Sequence, residues 1–450
     1  MLIFIENKPR TYAWGSRDAL PALLGLAPNG EPQAELWLGD HPGAPASVAK
    51  AGPKGQTLIE LIDSDPERYG VDGKHLPFLL KVLGIGAPLS LQVHPNKQQA
   101  LEGYAREQAA GVPLGARERS YGDDNHKPEL LVALSEVSAL CGFRALDEAR
   151  ADLHALAAAV PAGAEREALL WAAGCCAVGA GGDAAEARSS YLNWALGGDE
   201  TVGAAVRAIG AALGVSGGAG GACGAGAGAG GAGASAGPEI SGERRRALTK
   251  LLAAYPDDPG VLISLLLHLV TLQPGEAIYL AARQLHAYLD GLAVEVMAAS
   301  DNVLRAGFTE KHVDVAEVLR VVDFSELDTP MQEAATIAPG LVAWAPNVPE
   351  FTLLRAQICE PAGDAVPDEV GDSGRDLGCS ERVVVPVPYP TVVVVTRGRV
   401  RVERVGAELS EVASVGRGQS LYVSAGEPIE LTGRAEAFLA TVGSAWPRVS

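Results

Sequence analysis

The sequence predicts a mainly β protein with a helical insert, built as two jelly-roll or β-sandwich barrels with helices set in or beside the first. Three observations carry this expectation. Short strand-like runs bounded by Gly and Pro turns fill the first 145 residues and return after residue 270. Between them lies an Ala- and Leu-rich stretch with helical spacing. At 450 residues the chain exceeds one ordinary core, so two or three domains are expected.

Taken in order, "MLIFI" reads as a first strand, because "MLIFIENKPRTYAWGS" lacks the basic and apolar regions of a secretory signal. "AELWLGD", "PFLLKVL", "PLSLQVH" and "ELLVAL" read as further strands. "NKQQALEGYAREQAAG", after Pro95, reads as a helix with Asn96 as its N-cap. The insert, 146–269, contains "EREALLWAAGCCAVGA" and "ERRRALTKLLAAY" at helical spacing. Within it, 216–238 is low-complexity Gly/Ala. It has no GK[ST] and no flanking strand, so it is read as a flexible linker without chemistry. Strands return at "VTLQPGEAIYL", a last helix is expected at "VDVAEVLRVVDF", and short strands such as "GQSLYVSAGEPIELTG" close the chain. The expected domains are 1–145 with 270–325, the helical insert 146–269, and a C-terminal β domain 326–450.

A net charge of −19 disfavours a nucleic-acid partner, since phosphate backbones are gripped through an excess of Lys and Arg. No charge-free apolar run is long enough to span a bilayer, so no membrane is expected and the cytoplasm is the expected compartment. The six cysteines show no CxxC spacing and are read as buried free thiols.

Candidate chemistry centres on "QVHPNK", "DDNHKPEL" and "RQLHAYLDG". Gln92 and His94 are two apart on a strand and share a face. With Glu129 and His286 they offer an amide oxygen, a carboxylate and two imidazoles, a donor set that suits zinc with room for water or substrate. The same residues also fit a satisfied core histidine and a surface carboxylate.

These segments carry a resemblance. "YAWGS", "AELWLGDHPGAPA", "PFLLKVLGIGAPLSLQVHPNK", "YGDDNHKPEL", "PGEAIYLAARQLHAYLDGLAVEVMAASDNVLRAG" and "TEKHVDV" resemble the type I phosphomannose isomerases. The resemblance covers roughly the first 145 residues and 270–325. It implies two cupin-like jelly-roll barrels plus an α-helical domain, and one zinc ion per chain held by Gln92, His94, Glu129 and His286. It further implies Arg305 as a catalytic residue and Ser90, Lys81 and Lys311 as contacts to the substrate phosphate. The implied substrate is a small sugar phosphate, mannose 6-phosphate interconverting with fructose 6-phosphate. A monomer is the expected state of the chain.

That reaction moves a proton between C2 and C1 through an enediol, whose oxygens need a cation and whose protons need a base tuned toward neutrality. Arg305 suits the first task, since it keeps its charge at any working pH and is a poor base. Glu295, Asp301 and His126 are the candidate bases, with no choice among them. Lys81 and Lys127 are candidate cations for the substrate, Lys81 being an awkward charge in an apolar strand unless it faces an anion. Trp14 is either an aromatic wall for a sugar ring or core packing at a barrel end. Two other functions use the same residues. One is a cupin-type oxygenase with His94, Glu129 and His286 as a facial triad on iron. The other is a non-catalytic sugar-phosphate-binding protein.

Overall fold

Strand alternation decides which side chains line the interior of this protein and which are packed away. The computed structural model describes residues 1–50, 55–179, 181–215, 239–359, 378–406 and 411–443. The Gly/Ala-rich stretch 216–238, with the linker expectation placed on it, lies outside the described residues.

The organising element is the strand His286–Ala298. Its second half pairs antiparallel with Phe78–Ile85 on one side and Glu129–Ala133 on the other. Its first half pairs with Leu91–Val93 and Val137–Phe143. The change of partners falls at Gly291, whose φ of +110° is left-handed territory. A Cβ there would lie 2.5 Å from the Glu136 carbonyl oxygen, so only glycine lets the strand bend so closely past its neighbour. Among the described residues nine strands join this sheet, including Glu35–Leu38 and Leu304–Gly307.

Helices cover one side of it. Leu146–Ala158, Ala164–Cys175, Ala184–Gly197, Glu200–Leu213 and Gly242–Ala254 share one apolar core with Leu91, Val93, Leu140, Phe143, Ala287, Leu289, Leu304 and Ala306 from the strands. Their ends follow from sequence chemistry: Asp199 and Ser241 accept from the backbone N–H groups of Val202 and Arg244, and Gly198 and Gly214 adopt left-handed C-cap conformations. The helix after Pro95 spans Lys97–Ala109 and starts with a capping box of Asn96 and Gln99.

A second sheet carries ten strands among the described residues, most of them from the C-terminal third. The chain's first strand, Leu2–Glu6, belongs here, pairing with Ser420–Val423 and with Ser47–Lys50. Domain expectations drawn along the sequence group residues 1–145 with the other sheet. The physical reason for the difference is that "LIFI" is apolar on both faces. Ile3 and Ile5 enter the core between the two sheets, while Leu2 joins the core on the opposite face of its own sheet. One further expectation is corrected. Cys359 and Cys379 are not free thiols but form a disulfide, with Cα atoms 5.7 Å apart; Cys141, Cys175 and Cys176 are free. The bond links the end of the strand Thr352–Ile358 to the approach to Arg382–Val387, a proximity that Cys spacing alone does not reveal.

Candidate metal centre and substrate pocket

The helical core determines where the polar residues point. Leu91 and Val93 are buried against the helices, so Gln92, between them, faces the opposite way. The same holds for Arg305 between Leu304 and Ala306, and for His286 and Tyr288 on either side of Ala287. On the other half of the sheet, Val294, Val296, Leu130, Val132, Leu80 and Val82 enter the core between the sheets, which turns Glu295, Glu129 and Lys81 to the inner face.

Register then brings these side chains together, since residues directly opposite on neighbouring strands share a face. His286 lies opposite Gln92, and Gln92 opposite Arg305. Glu295 lies opposite Lys81, Lys81 opposite Trp37, and Met297 opposite Glu129.

The ligand atoms of His94, Glu129 and His286 all lie within 4.8 Å of one another, and the three residues are buried. The Nε2 atoms of His94 and His286 stand 3.3 and 3.4 Å from the two Glu129 carboxylate oxygens. His94 Nδ1 donates to the Asn302 carbonyl at 2.6 Å and His286 Nδ1 to the Gln284 carbonyl at 2.9 Å. A carbonyl only accepts, so each Nδ1 carries the proton and each Nε2 presents a lone pair. Both Nε2 atoms are buried and without a hydrogen bond. Two orphaned lone pairs converging on a carboxylate fit a divalent cation, and the Gln92 position allows its amide oxygen to join them.

The electrostatics agree. Burial, reinforced by the Lys127 ammonium, pushes His94 down to about 4, so the imidazole is neutral at pH 7, as a ligand must be. Burial alone would raise the Glu129 carboxyl. Lys127, whose Nζ lies 2.8 Å from Glu129 Oε1, is the foremost influence in the other direction, and the carboxyl is held well below the usual range.

Around this cluster the predicted site residues fall into distinct settings. Lys81 is buried with its Nζ 3.4 Å from Glu295, 3.7 Å from Glu35 and 4.9 Å from the centre of the Trp37 ring. Burial would lower its pKa, and the two carboxylates reverse that and raise it. Lys81 therefore already has counter-ions within the chain. Glu295 is only 3% exposed, and burial followed by repulsion from Glu129 raises its pKa. Tyr288 Oη donates to Glu295 at 3.1 Å and lies 3.4 Å from Glu129, linking the ion pair to the metal cluster.

Arg305 and Lys311 form a different pair. Arg305 is half-buried and burial lowers its pKa; the Lys311 pKa is lowered by the Arg305 charge first and by burial second. Among the described residues neither has a carboxylate within ion-pairing distance. His126 Nε2 is 2.6 Å from Glu350, and its side chain is 20% exposed. Asp301 is 60% exposed and 3.4 Å from His41 Nε2. Ser90 is half-buried just before Leu91–Val93. Trp14 packs at the rim of the inner core, its ring 6.0 Å from that of Tyr12.

Sequence reasoning missed Tyr288, Glu35 and His41. Tyr288 had a usable signal, lying two residues after His286 on the same strand face. Glu35 alternates with Trp37 in "ELWL", but its pairing with Lys81 arises only from the strand register.

A sequence profile described as phosphomannose isomerase type I, catalytic domain, matches residues 2–146. The mannose-6-phosphate isomerase of Escherichia coli (strain K12) is 38% identical over 336 residues, covering 71% of this chain and 74% of the relative. The chain belongs to the type I phosphomannose isomerase family. The Schizosaccharomyces pombe mannose-6-phosphate isomerase is 29% identical over 95% of both chains. In three dimensions the chain is similar to a zinc-bound mannose 6-phosphate isomerase, with a TM-score of 0.78 and 28% identity over 98% of this chain and 99% of that one. A phosphomannose isomerase variant from Salmonella typhimurium gives a TM-score of 0.79 with the same coverage. No described helix is long and apolar enough to cross a membrane.

Proposed function

We propose that this member of the phosphomannose isomerase family interconverts mannose 6-phosphate and fructose 6-phosphate at the inner-face cluster, with zinc as its cofactor. The observation that carries the reading is the pair of orphaned Nε2 lone pairs facing Glu129, in the same strand row as an Arg305 that has no carboxylate partner among the described residues. His94, Glu129 and His286, joined by Gln92, would hold the metal. Zinc supplies positive charge beside the substrate oxygens on C1 and C2 when bound.

The chain's own residues do the rest. Arg305 projects from the strand beside Gln92 and stabilises negative charge developing on the enediol oxygens. Lys311, adjacent to Arg305 in charge and more exposed, holds the phosphate. Bringing a dianion to this pair relieves their mutual repulsion, so the substrate supplies the counter-charge. Lys127 balances Glu129 and keeps it ionised for the metal. Glu295 is enclosed between Lys81 and Tyr288, whereas the other two candidate bases, His126 and Asp301, reach solvent. An oxygenase would use three of the same ligands but has no need of the Arg305 and Lys311 pair.

The test is metal removal. Chelation is expected to abolish turnover of mannose 6-phosphate and zinc to restore it, while oxygen uptake stays at background. Full isomerase activity in protein shown by elemental analysis to be metal-free would refute the reading.

A further inference from the structure

Two residues outside the cluster hold its parts in register. Asp123 lies in the loop before Glu129, and Asn302 in the turn between His286–Ala298 and Leu304–Gly307. Asn302 Oδ1 accepts from the backbone N–H groups of Gly122 and Asp123 at 2.8 and 3.2 Å. Its Nδ2 donates to the Asp123 and Asn125 carbonyls at 2.9 and 2.7 Å. In return, the Asp123 carboxylate accepts from Asp301 N at 2.7 Å, Ser300 Oγ at 2.9 Å and Asn125 N at 2.8 Å. Asn302 is fully buried and Ser300 is 1% exposed, so the bonds made by the Asn302 side chain and Ser300 Oγ are shielded from water on their inner side, while the bond from Asp301 N to Asp123 lies at the surface.

The consequence lies in the main chain of Asn302. Its side chain is tied by five bonds to the 122–125 loop, one of them from Nδ2 to the Asp123 carboxylate at 3.3 Å, while its carbonyl accepts the proton of His94 Nδ1 at 2.6 Å. One residue thus joins three distant stretches: the end of the strand bearing Gln92, the loop leading to Glu129, and the turn leading to Arg305. A knot serving only to close a loop has no need to place its carbonyl on a buried imidazole. Resting on the zinc reading above, the geometry points to Asp123 and Asn302 as positioning residues that fix the tautomer and ring orientation of His94 for the metal. Neither touches metal or substrate; both act through His94. Partners of this kind typically contribute about 10–100-fold to metal affinity.

Asp123→Asn tests this with little change of shape. The amide can replace one carboxylate oxygen as acceptor, but its NH2 then opposes either the Asp301 or the Asn125 N–H, donor against donor. The full-length protein is titrated with zinc against a chromophoric chelator, and the visible spectrum of the cobalt(II)-loaded form is recorded. Thermal unfolding of the metal-free form reports on folding alone. The expected result is a zinc dissociation constant about 10–100-fold weaker and an altered cobalt spectrum. Asp124→Asn, an exposed neighbour whose nearest cation, Lys97, is 3.9 Å away, should leave both unchanged. An Asp123→Asn protein with parental zinc affinity and spectrum overturns the positioning role, whatever its activity or melting temperature. If that variant does not fold, Ser300→Ala removes a donor to the same carboxylate together with the hydroxyl's bonds to the Asn125 carbonyl and the Asn302 N–H, and the same two readouts decide with a smaller expected loss, about 10-fold or less. The parent is titrated first. Failure of the parent to bind zinc would bring down the metal reading and this role together, whereas a zinc-binding parent with an unaffected variant rejects the role alone.

Discussion

Lys81→Met separates a structural charge from a substrate contact. In the structure the ammonium is nearly sealed from solvent between Glu295 at 3.4 Å and Glu35 at 3.7 Å. At an effective dielectric near 20, unit charges at such distances attract by about 4–5 kcal/mol per pair before desolvation is counted. Methionine keeps the length of the side chain but leaves two buried carboxylates facing one another, and loss of the shared partner from a buried ion triad costs about 3–5 kcal/mol net. The assay is equilibrium urea unfolding of the metal-free protein, so that zinc affinity does not enter. The variant is expected to lose about 3 kcal/mol or more, and Lys81→Met combined with Glu295→Gln to regain part of it, because the neutral amide no longer needs a cation. Stability within about 0.5 kcal/mol of the parent, with a raised KM as the only change, would refute this reasoning and return Lys81 to the phosphate.

The Arg305 and Lys311 pair makes a kinetic prediction: Arg305→Ala should lower kcat far more than it raises KM, whereas Lys311→Ala should chiefly raise KM, by about 10–100-fold for the loss of a charged hydrogen bond. Steady-state kinetics on mannose 6-phosphate check both, and an Arg305→Ala enzyme with parental kcat would refute its assignment. Away from the site, Glu317 is buried and bonded to Tyr121 Oη, to Arg320 Nε at 3.0 Å and to Arg106 at 2.9 Å. Burial would raise its carboxyl, but Arg320, Tyr121 and Arg106 together lower it. A folded-state pKa below the unfolded value means that the stabilisation is complete above the unfolded pKa and is lost as pH falls through the folded one. Glu317→Gln should therefore cost about 1–2 kcal/mol at pH 7, reduced by solvent screening of the half-exposed arginines, with the gap to the parent closing in acid. A gap that is constant from pH 7 to pH 3 would contradict the assignment.

Much of the architecture could be read from periodicity. The strands around Glu35–Leu38, Phe78–Ile85, Leu91–Val93 and Glu129–Ala133 and the capped helix Lys97–Ala109 lie where alternation and an Asn cap place them. The orientation of Gln92 was legible because alternation is local. Pairings across the chain were not. Lys81 looked like an unattended cation, because its partners Glu35 and Glu295 lie on separate strands and meet it only through register. The membership of Leu2–Glu6 in the second sheet, and the Cys359–Cys379 bond, depend in the same way on which strands become neighbours. Tyr288 belongs to an intermediate class, since its face was readable but its role required seeing Glu129 and Glu295 at either side of its hydroxyl.

Anomalous diffraction at the zinc edge, from crystals of the zinc-loaded protein, tests the central claim most directly. The account predicts one strong peak per chain, about 2.0–2.2 Å from the Nε2 atoms of His94 and His286 and from a Glu129 oxygen, with the Gln92 amide oxygen turned toward it. A peak elsewhere, or zinc-loaded crystals whose His94, Glu129 and His286 contact no ion, would contradict it.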